Sequence, residues 1–357
     1  MRVQKQSVGI DISKDSFTAC LCTKALNEEL LFSGVKTFKN EKSGFNKLLR
    51  WARKLGDKSV SIHFLMEATG VYYERLAEHL YDIKQDVHVV LPNTSKHYFS
   101  SLNIKTKTDE LDAKVLSQFG VERKHKTWVK PKGVYLELRD LTRYHVQLQE
   151  QKTVLGNIHH SKENGHEVSK LILKSNKRLV KELDKQIDQV RKEIELVIEQ
   201  DAELSSKANK MLTIKGVGIQ TVAVIIAETL GFQYVKNVKQ LVSYAGYDVV
   251  QRESGTSIKG KTRISKKGNR YIRKALYFPG MVACRYNEEL KLKYQSIIKR
   301  KPSKMVGQVA IQRKLLVLLY TLWNKNEEYQ SNYYAKKVAS QPSCEATLDS
   351  SNSLVLP

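Results

Sequence analysis

Four carboxylates stand where a hard cation could be held. Asp11 lies in the apolar run at residues 7–12, Glu67 closes the apolar run at residues 59–66, and Asp109 and Asp112 open a segment that begins after Thr108. Thr108 is placed to cap a helix, and a spacing of three puts Asp109 and Asp112 on one face of its first turn. An acidic side chain inside an apolar strand is costly unless it is paired or metal-bound. Carboxylates gathered from two strand positions and a helix start are what Mg²⁺ uses, because it takes hard oxygens and keeps room for water and phosphate. Two such ions can clamp the attacking and leaving oxygens of a phosphodiester exchange. Singly, each residue also reads as a strand-end, turn or helix-dipole carboxylate. Four together in a strongly basic chain favour a metal site.

Two further motifs concern phosphate. Lys215-Gly216-Val217-Gly218 joins two apolar helical stretches. Its glycines allow a tight turn and let backbone N–H groups approach a phosphate at the next helix start. Helix-hairpin-helix proteins grip nucleic-acid backbone in this way without reading bases; the plainer reading is an ordinary helix connection. Residues 243–257 include small, flexible residues and lead into a run with eight Lys or Arg in sixteen positions, residues 259–274. Lys259, Lys261, Arg263, Lys266, Lys267, Arg270 and Arg273 in that run are the expected backbone grip. A serine hydroxyl is a poor nucleophile without a base, metal or cations beside it, so spacing alone makes Ser254 a turn serine.

The elements that must position these groups fall into three stretches. Residues 7–12, 17–23, 30–38, 59–66 and 87–91 read as strands, with helices over 44–55 and 71–83, and Pro92-Asn93-Thr94 marks a turn out of the last strand. The order βββαβαβα is α/β, and its three leading strands imply a mixed sheet with an antiparallel meander. Residues 134–210 carry Leu179, Leu183, Ile187, Val190, Ile194 and Val197 at near-heptad spacing, the seam of a coiled coil. Asn164-Gly165 is expected to break that stretch into two helices, which serve either as an oligomerisation device or as an intramolecular bundle. Residues 211–337 read as mainly helical, 304–323 as a core helix, and the tail from residue 340 as disordered. His159, His160 and His166 lack metal-ligand spacing and read as solvated. Cys20 and Cys22 share a strand face in the core, and Trp51, Trp128 and Trp323 suit packing.

Composition narrows the function classes. The chain has 357 residues, 61 Lys or Arg against 37 Asp or Glu, and a net charge of +24. The charge is segregated: residues 211–340 hold 24 basic and 7 acidic side chains, whereas residues 134–210 hold 14 and 13. A basic block of this kind most often faces a polyanion, usually nucleic acid. No apolar run reaches bilayer length and no signal peptide is read at the start. Four cysteines show neither a disulfide framework nor paired zinc spacing, which suits a reducing cytosol.

With these residues in view, the chain resembles the DEDD-type insertion-sequence transposases of the IS one-ten group, described as bridge-RNA-guided serine recombinases. The stretches that carry the match are Gly9-Ile-Asp-Ile-Ser-Lys-Asp-Ser-Phe, Met66-Glu-Ala-Thr-Gly-Val-Tyr, Lys107-Thr-Asp-Glu-Leu-Asp-Ala-Lys-Val-Leu and the run from Glu253 to Tyr277. The resemblance implies a RuvC-like (RNase H-like) DEDD domain over residues 1–133, a coiled-coil linker and oligomerisation segment over 134–210, a mainly helical transposase domain over 211–339, and a disordered tail over 340–357. It also implies an acidic tetrad of Asp11, Glu67, Asp109 and Asp112 with Mg²⁺, and a nucleophile at Ser254 before Gly255. The implied partners are element and target DNA, a structured noncoding guide RNA and further copies of the chain, dimer or tetramer, in a prokaryotic cytoplasm. Where relatives often carry Gly-Leu-x-Pro, this chain has Gly246-Tyr247-Asp248-Val249-Val250 without the proline. The alternative function is a metal-dependent RuvC-like Holliday-junction resolvase or nuclease that attacks with water. A non-catalytic DNA- or RNA-binding protein is a second.

Overall fold

The computed structural model describes residues 2–165, 168–251, 253–254, 258–260, 262–300 and 303–331. Strand β1 (Val3–Ile12) turns at residues 13–15 into the antiparallel β2 (Ser16–Ala25), and Ser13 Oγ donates to the Ser16 carbonyl at 2.7 Å to close that turn. β3 (Leu30–Lys39) adds antiparallel to β2. After helix α1 (Lys42–Leu55), β4 (Ile62–Glu67) lies parallel to β1; after α2 (Glu74–Asp82), β5 (Asp86–Val90) lies parallel to β4. The sheet order is β3-β2-β1-β4-β5. The expected mixed sheet with its meander is therefore present, with β4 starting at Ile62.

The turn expected at residues 92–94 is instead the start of helix α3 (Pro92–Ser101). Proline suits that position, since its fixed φ is helical and its missing N–H would have had no partner there. Helix α4 (Asp109–Glu122) follows.

Both faces of this sheet are covered. Val8, Ile10 and Ile12 alternate onto one face with Phe17, Ala19 and Leu21, packed against Phe45, Leu48, Leu76 and Leu80 of α1 and α2. Burying each such aliphatic side chain contributes about 1.5–3 kcal/mol. The other face is covered by α4, which comes so close to β1 that a Cβ on Gly9 would sit 2.0 Å from the Ser117 nitrogen and 2.4 Å from the Ala113 oxygen. A Cβ on Gly120 would sit 2.0 Å from the Ser7 hydroxyl oxygen, a side-chain contact. Helix backbone thus rests directly on strand backbone, and that contact sets where the start of α4 falls.

The chain divides into one unit at Met1–Lys130 and a second from Pro131 onward. The second contains α5 (Gly133–Glu163), α6 (Lys170–Gln200), α7 (Ala202–Leu212), α8 (Ile219–Thr229) and α9 (Val238–Tyr244). Four two-residue strands follow: β6 (Val249–Val250), β7 (Glu253–Ser254), β8 (Ile258–Lys259) and β9 (Arg263–Ile264). Helices α10 (Arg270–Ala275), α11 (Tyr277–Tyr286), α12 (Glu288–Arg300) and α13 (Lys304–Lys325) complete it. The break near residue 164 falls between α5 and α6, which pack on each other with Lys152 bonded to Asp184.

Only the later part of the heptad seam is covered. Ile187, Val190, Ile194 and Val197 are buried while Leu179 is 49% exposed. Helix α13 is long and apolar enough to cross a membrane by length and composition, yet Ile311, Leu315, Leu316 and Leu319 are fully buried in the helical core. It is the core helix its sequence suggested. The strands at 249–264 were not expected in a region read as mainly helical. The tail from residue 340, Gly255, Lys261 and His166 lie outside the described residues.

Candidate active site

Three elements bring the acidic residues to one end of the sheet. Ile10 of β1 pairs with Met66 of β4, so Asp11 and Glu67 are the next step along these parallel neighbours. Asp11 alternates with Ile10 and Ile12 and therefore points to the face that α4 covers. Thr108 caps α4 by accepting from the Leu111 N–H at 3.2 Å, as its sequence position implied, and Asp109, Glu110 and Asp112 occupy the first turn. The Gly9 contact fixes that turn above the strand ends.

The four are near enough for their charges to act on one another, although no three of them bring ligand oxygens within 4.8 Å of one another. The Asp11 carboxyl is pushed up to about 6, first by burial and then by the charges of Asp112, Asp109 and Glu67. Asp112 is also raised, by burial first; Lys107 opposes the shift while Asp109 and Glu67 add to it. Mutual repulsion among bare carboxylates holds a cluster like this apart, and a proton or a cation relieves it. The donors are all hard oxygens at one end of the sheet, and the upward shifts of Asp11 and Asp112 are of the sign a divalent cation removes. That set fits Mg²⁺.

One supporting residue gave no signal in the sequence. Ser95, 1% exposed in the first turn of α3, places its Oγ 2.5 Å from Glu67 Oε2 and 3.0 Å from the Pro92 carbonyl. Its hydroxyl orients the Glu67 carboxylate, and only the unforeseen α3 brings it there. At the same end of the sheet, a cavity of about 510 Å³ is lined by Lys14, Lys39, Arg75 and Tyr72. The Asn40 side-chain amide closes its floor, lying within hydrogen-bond distance of the carbonyls of Ser13 (3.1 Å) and Tyr72 (3.2 Å).

Ser254 is in the other unit. It pairs with Ile258 across β7 and β8, while β6 pairs with β9, so the serine is carried exposed on a narrow two-tier ribbon. The base of that ribbon is well tied. Ser265 N–H donates to the Asp248 carbonyl (2.8 Å) and Asn269 N–H to the Tyr244 carbonyl (2.8 Å). Beneath them Glu228, buried, accepts from Arg143 Nε (2.7 Å), Arg143 Nη2 (2.9 Å) and Asn269 Nδ2 (2.5 Å). Asn269 Oδ1 in turn caps α10 at Tyr271 and Ile272.

The basic residues divide. Arg263, Lys266, Lys267 and Arg270 are exposed along the ribbon and its base, and Lys259 lies in β8. Arg273 is placed differently: it is half-buried, and its Nη1 donates to the Ala245 (2.7 Å) and Asn269 (3.2 Å) carbonyls. That engagement ties the ribbon's base and takes part of the guanidinium out of reach of a phosphate.

Lys215 is exposed, its ammonium 5.8 Å from the Tyr286 ring centroid, and Gly216 takes φ +90° in the turn between α7 and α8. Gly218 is the residue before α8 and open to approach. His159, expected to be solvated, is half-buried with Nε2 3.9 Å from Glu163. Passed over in the sequence were His63, Asp86 and His88, which the structure brings together on β4 and β5. Their signal was the alternation Asp86-Val87-His88 in a strand, which puts both polar side chains on one face.

Two family profiles match in chain order. One, described as a transposase, covers residues 8–162; the other, described as the transposase IS116/IS110/IS902 family, covers residues 208–295. The chain is 28% identical over 338 residues to the pilin gene-inverting protein of Moraxella lacunata, covering 93% of this chain and 100% of that protein. The pilin gene-inverting protein of Moraxella bovis is 27% identical over 335 residues, with the same coverage. A solved structure of an Aquifex aeolicus member of the Ppx/GppA family aligns over 91% of this chain and 92% of that one at 10% identity and a TM-score of 0.21, too loose a superposition to relate the folds.

Proposed function

Because the chain belongs to the IS116/IS110/IS902 transposases, and so to the enzymes that recombine DNA, we propose that it moves its own insertion sequence by serine recombination with Mg²⁺ and a noncoding guide RNA. The observation that carries the metal part of this reading is the gathering of Asp11, Glu67, Asp109 and Asp112 at one sheet end with Asp11 pushed up to about 6. These four residues would hold Mg²⁺, which when bound neutralises charge on the phosphoryl oxygens. The sheet order β3-β2-β1-β4-β5 supports the RNase H-like, RuvC-like reading of residues 1–133. Residues 134–210 serve as linker and oligomerisation segment, and residues 211–339 carry the nucleophile.

The chain's own chemistry then follows from its residues. The Ser254 oxygen forms a bond to the scissile phosphorus as the bond from phosphorus to the departing strand oxygen breaks. The serine proton is lost to solvent and the departing oxygen takes one up, so the phosphodiester becomes a phosphoserine ester that a second strand can attack. Arg263, Lys266, Lys267 and Arg270, with the turn at Lys215, Gly216 and Gly218, hold backbone phosphates during the exchange. Lys259 and Lys261 of the same run are assigned to this hold, as is the part of the Arg273 guanidinium left free by the Ala245 and Asn269 carbonyls. Sequence choice is delegated to base pairing by the guide RNA. Oligomers bring one copy's tetrad to another's serine, on DNA in the prokaryotic cytoplasm, with no membrane involved. The relatives' name adds support, since a protein that inverts a gene has to rejoin the strands it breaks.

The test is covalent trapping. The protein is incubated with Mg²⁺, element-end DNA and RNA transcribed from the flanking noncoding region, denatured, and examined for a protein–DNA adduct beside Ser254→Ala. An adduct present in the natural protein and absent from the variant is the expected result. Cut DNA without adduct, equal in both, would make the enzyme a water-using resolvase or nuclease and leave Ser254 a turn residue.

A further inference from the structure

At the opposite end of β4 from Glu67 the sheet carries a second cluster of different chemistry. His63 of β4 and Asp86 of β5 are register partners, and His88 is two residues beyond Asp86, so all three side chains share the face on which Leu65 packs. Among the described residues this is the one group of three whose ligand atoms all lie within 4.8 Å of one another. His63 Nδ1 is 2.5 Å from Asp86 Oδ2, His88 Nε2 is 3.1 Å from Asp86 Oδ1, and the two imidazole nitrogens are 3.4 Å apart. His88 is 6% exposed.

A neutral His88 ring can meet its two hydrogen bonds, with Nε2 accepting from His63 Nδ1–H at 3.4 Å, but not the Asp86 oxygen that faces the same nitrogen at 3.1 Å. The His88 Nδ1 is 3.0 Å from the Lys126 carbonyl, which can only accept, so the proton sits on Nδ1. Nε2 then presents a lone pair to a carboxylate oxygen, acceptor against acceptor. A positive charge between them resolves the conflict. A second proton on His88 would serve that one contact, whereas a metal ion serves His63, Asp86 and His88 together. In a tetrahedral zinc site with bonds of about 2.0–2.1 Å, neighbouring ligand atoms are about 3.3 Å apart. The His88–His63 and His88–Asp86 separations already lie near that value, and the His63–Asp86 contact has to open slightly.

The Lys126 carbonyl on the far ring nitrogen is the outer partner that metal-bound histidines almost always have. Two imidazoles and one carboxylate select a borderline transition ion over Mg²⁺, which takes oxygen ligands. We propose that His63, Asp86 and His88 form a structural zinc site, separate from the acidic tetrad, that staples edge strand β5 to β4 and to the segment after α4. That segment is already tied at Trp128, whose N–H donates to the Val87 carbonyl at 2.7 Å. His125 stands beside the cluster, its ring centroid 6.0 Å from that of His88 and its Nε2 2.9 Å from the Phe119 carbonyl. His125 is not among the atoms within 4.8 Å, so the fourth position is left to a water. The two sites are separable because His63 and Glu67 are four residues apart in a strand, about 13 Å.

The test uses the full chain, stripped with chelator and dialysed. Zinc is titrated back while bound metal and thermal midpoint are followed, and Co²⁺ serves as a spectroscopic probe of tetrahedral geometry. One zinc per chain, a raised midpoint and a tetrahedral Co²⁺ spectrum are expected. His88→Gln and Asp86→Asn, each checked for folding by circular dichroism, should bind at least about 100-fold more weakly, beyond what losing an outer hydrogen-bond partner costs. Asp11→Asn should bind zinc at this site as the natural chain does. If the natural chain takes up no stoichiometric zinc, or binds it no more tightly than both variants, the proposal is overturned and the cluster is a protonated imidazole against a carboxylate. If either variant fails to fold, the natural chain's stoichiometry and Co²⁺ spectrum decide alone.

Discussion

The carboxylate cluster and the serine ribbon are built in opposite ways. Asp11, Glu67, Asp109 and Asp112 rest on long strands and a helix pressed backbone to backbone at Gly9, with covered layers on both sides. Ser254 rides, exposed, on strands of two residues each, and among the described residues the ribbon is tied at its base through Asn269 and Glu228. Groups that hold a cation must be fixed to a few tenths of an ångström, and a rigid layer supplies that. The proposed nucleophile would have to reach a phosphate and let strands exchange, and a narrow exposed ribbon with a tied foot suits that role.

The largest effect separates chemistry from scaffold. Asp112→Asn keeps the side chain's shape and removes one charge at the start of α4. Strand exchange is expected to fall by about 10²–10³-fold, as when one charge-stabilising group is lost, while DNA binding measured by fluorescence anisotropy stays within a few fold. Parallel loss of both would mean that these carboxylates build the fold and do not serve the reaction.

Next is the contact that gives the first region its rigidity. A Cβ at Gly9 meets helix backbone, which cannot move aside as a side chain could. Gly9→Ala should cost about 3 kcal/mol, the upper part of the overpacking range, read as a lower urea midpoint at unchanged slope. A wild-type midpoint would show that α4 is not seated against β1. A smaller loss tests the ribbon's foot. Glu228→Gln removes the charge that Arg143 and Asn269 share and should cost about 2 kcal/mol, typical of a hydrogen-bonded charged group. Its effect on serine–DNA adduct formation should exceed its effect on Mg²⁺ binding; the reverse would deny that the two regions are independently supported.

What could be read from the sequence follows the same division. The five strands, α1, α2 and the capped start of α4 were legible because their alternation and caps are local signals. Asp11, Glu67, Asp109 and Asp112 stand out because carboxylates in such places are costly. The ribbon at residues 249–264 was not, since strands of two residues are too short for a period to show. Ser95 was hidden because Pro92 ends a strand and begins a helix with equal plausibility, and the helix is what brings the hydroxyl to Glu67. The near-heptad seam was legible as a pattern, but its early positions are not covered in the chain itself: Leu179 stays 49% exposed while Ile194 is fully buried.

The smallest effect is a pH dependence, and its sign is fixed by Asp11. Its carboxyl titrates at about 6 in the folded chain against an ordinary value of 3.8. The folded state therefore binds the proton more tightly than the unfolded one across that window. The resulting stability is fully present below about pH 4 and is lost as pH rises through about 6. Asp11→Asn carries no charge there, so with chelator present its thermal midpoint should match the natural protein's near pH 4 and exceed it above pH 6. Asp112, raised in the same direction, stays in both proteins and makes the common slope shallow, not flat. Adding Mg²⁺ at pH 7 should raise the midpoint of the natural protein more than that of Asp11→Asn, because a bound cation replaces the missing proton only where the fourth carboxylate remains. Curves that run parallel from pH 4 to 8, with equal Mg²⁺ shifts, would mean that Asp11 is not strained by its neighbours. The four carboxylates would then lack the burial and mutual repulsion on which the proposed metal site rests.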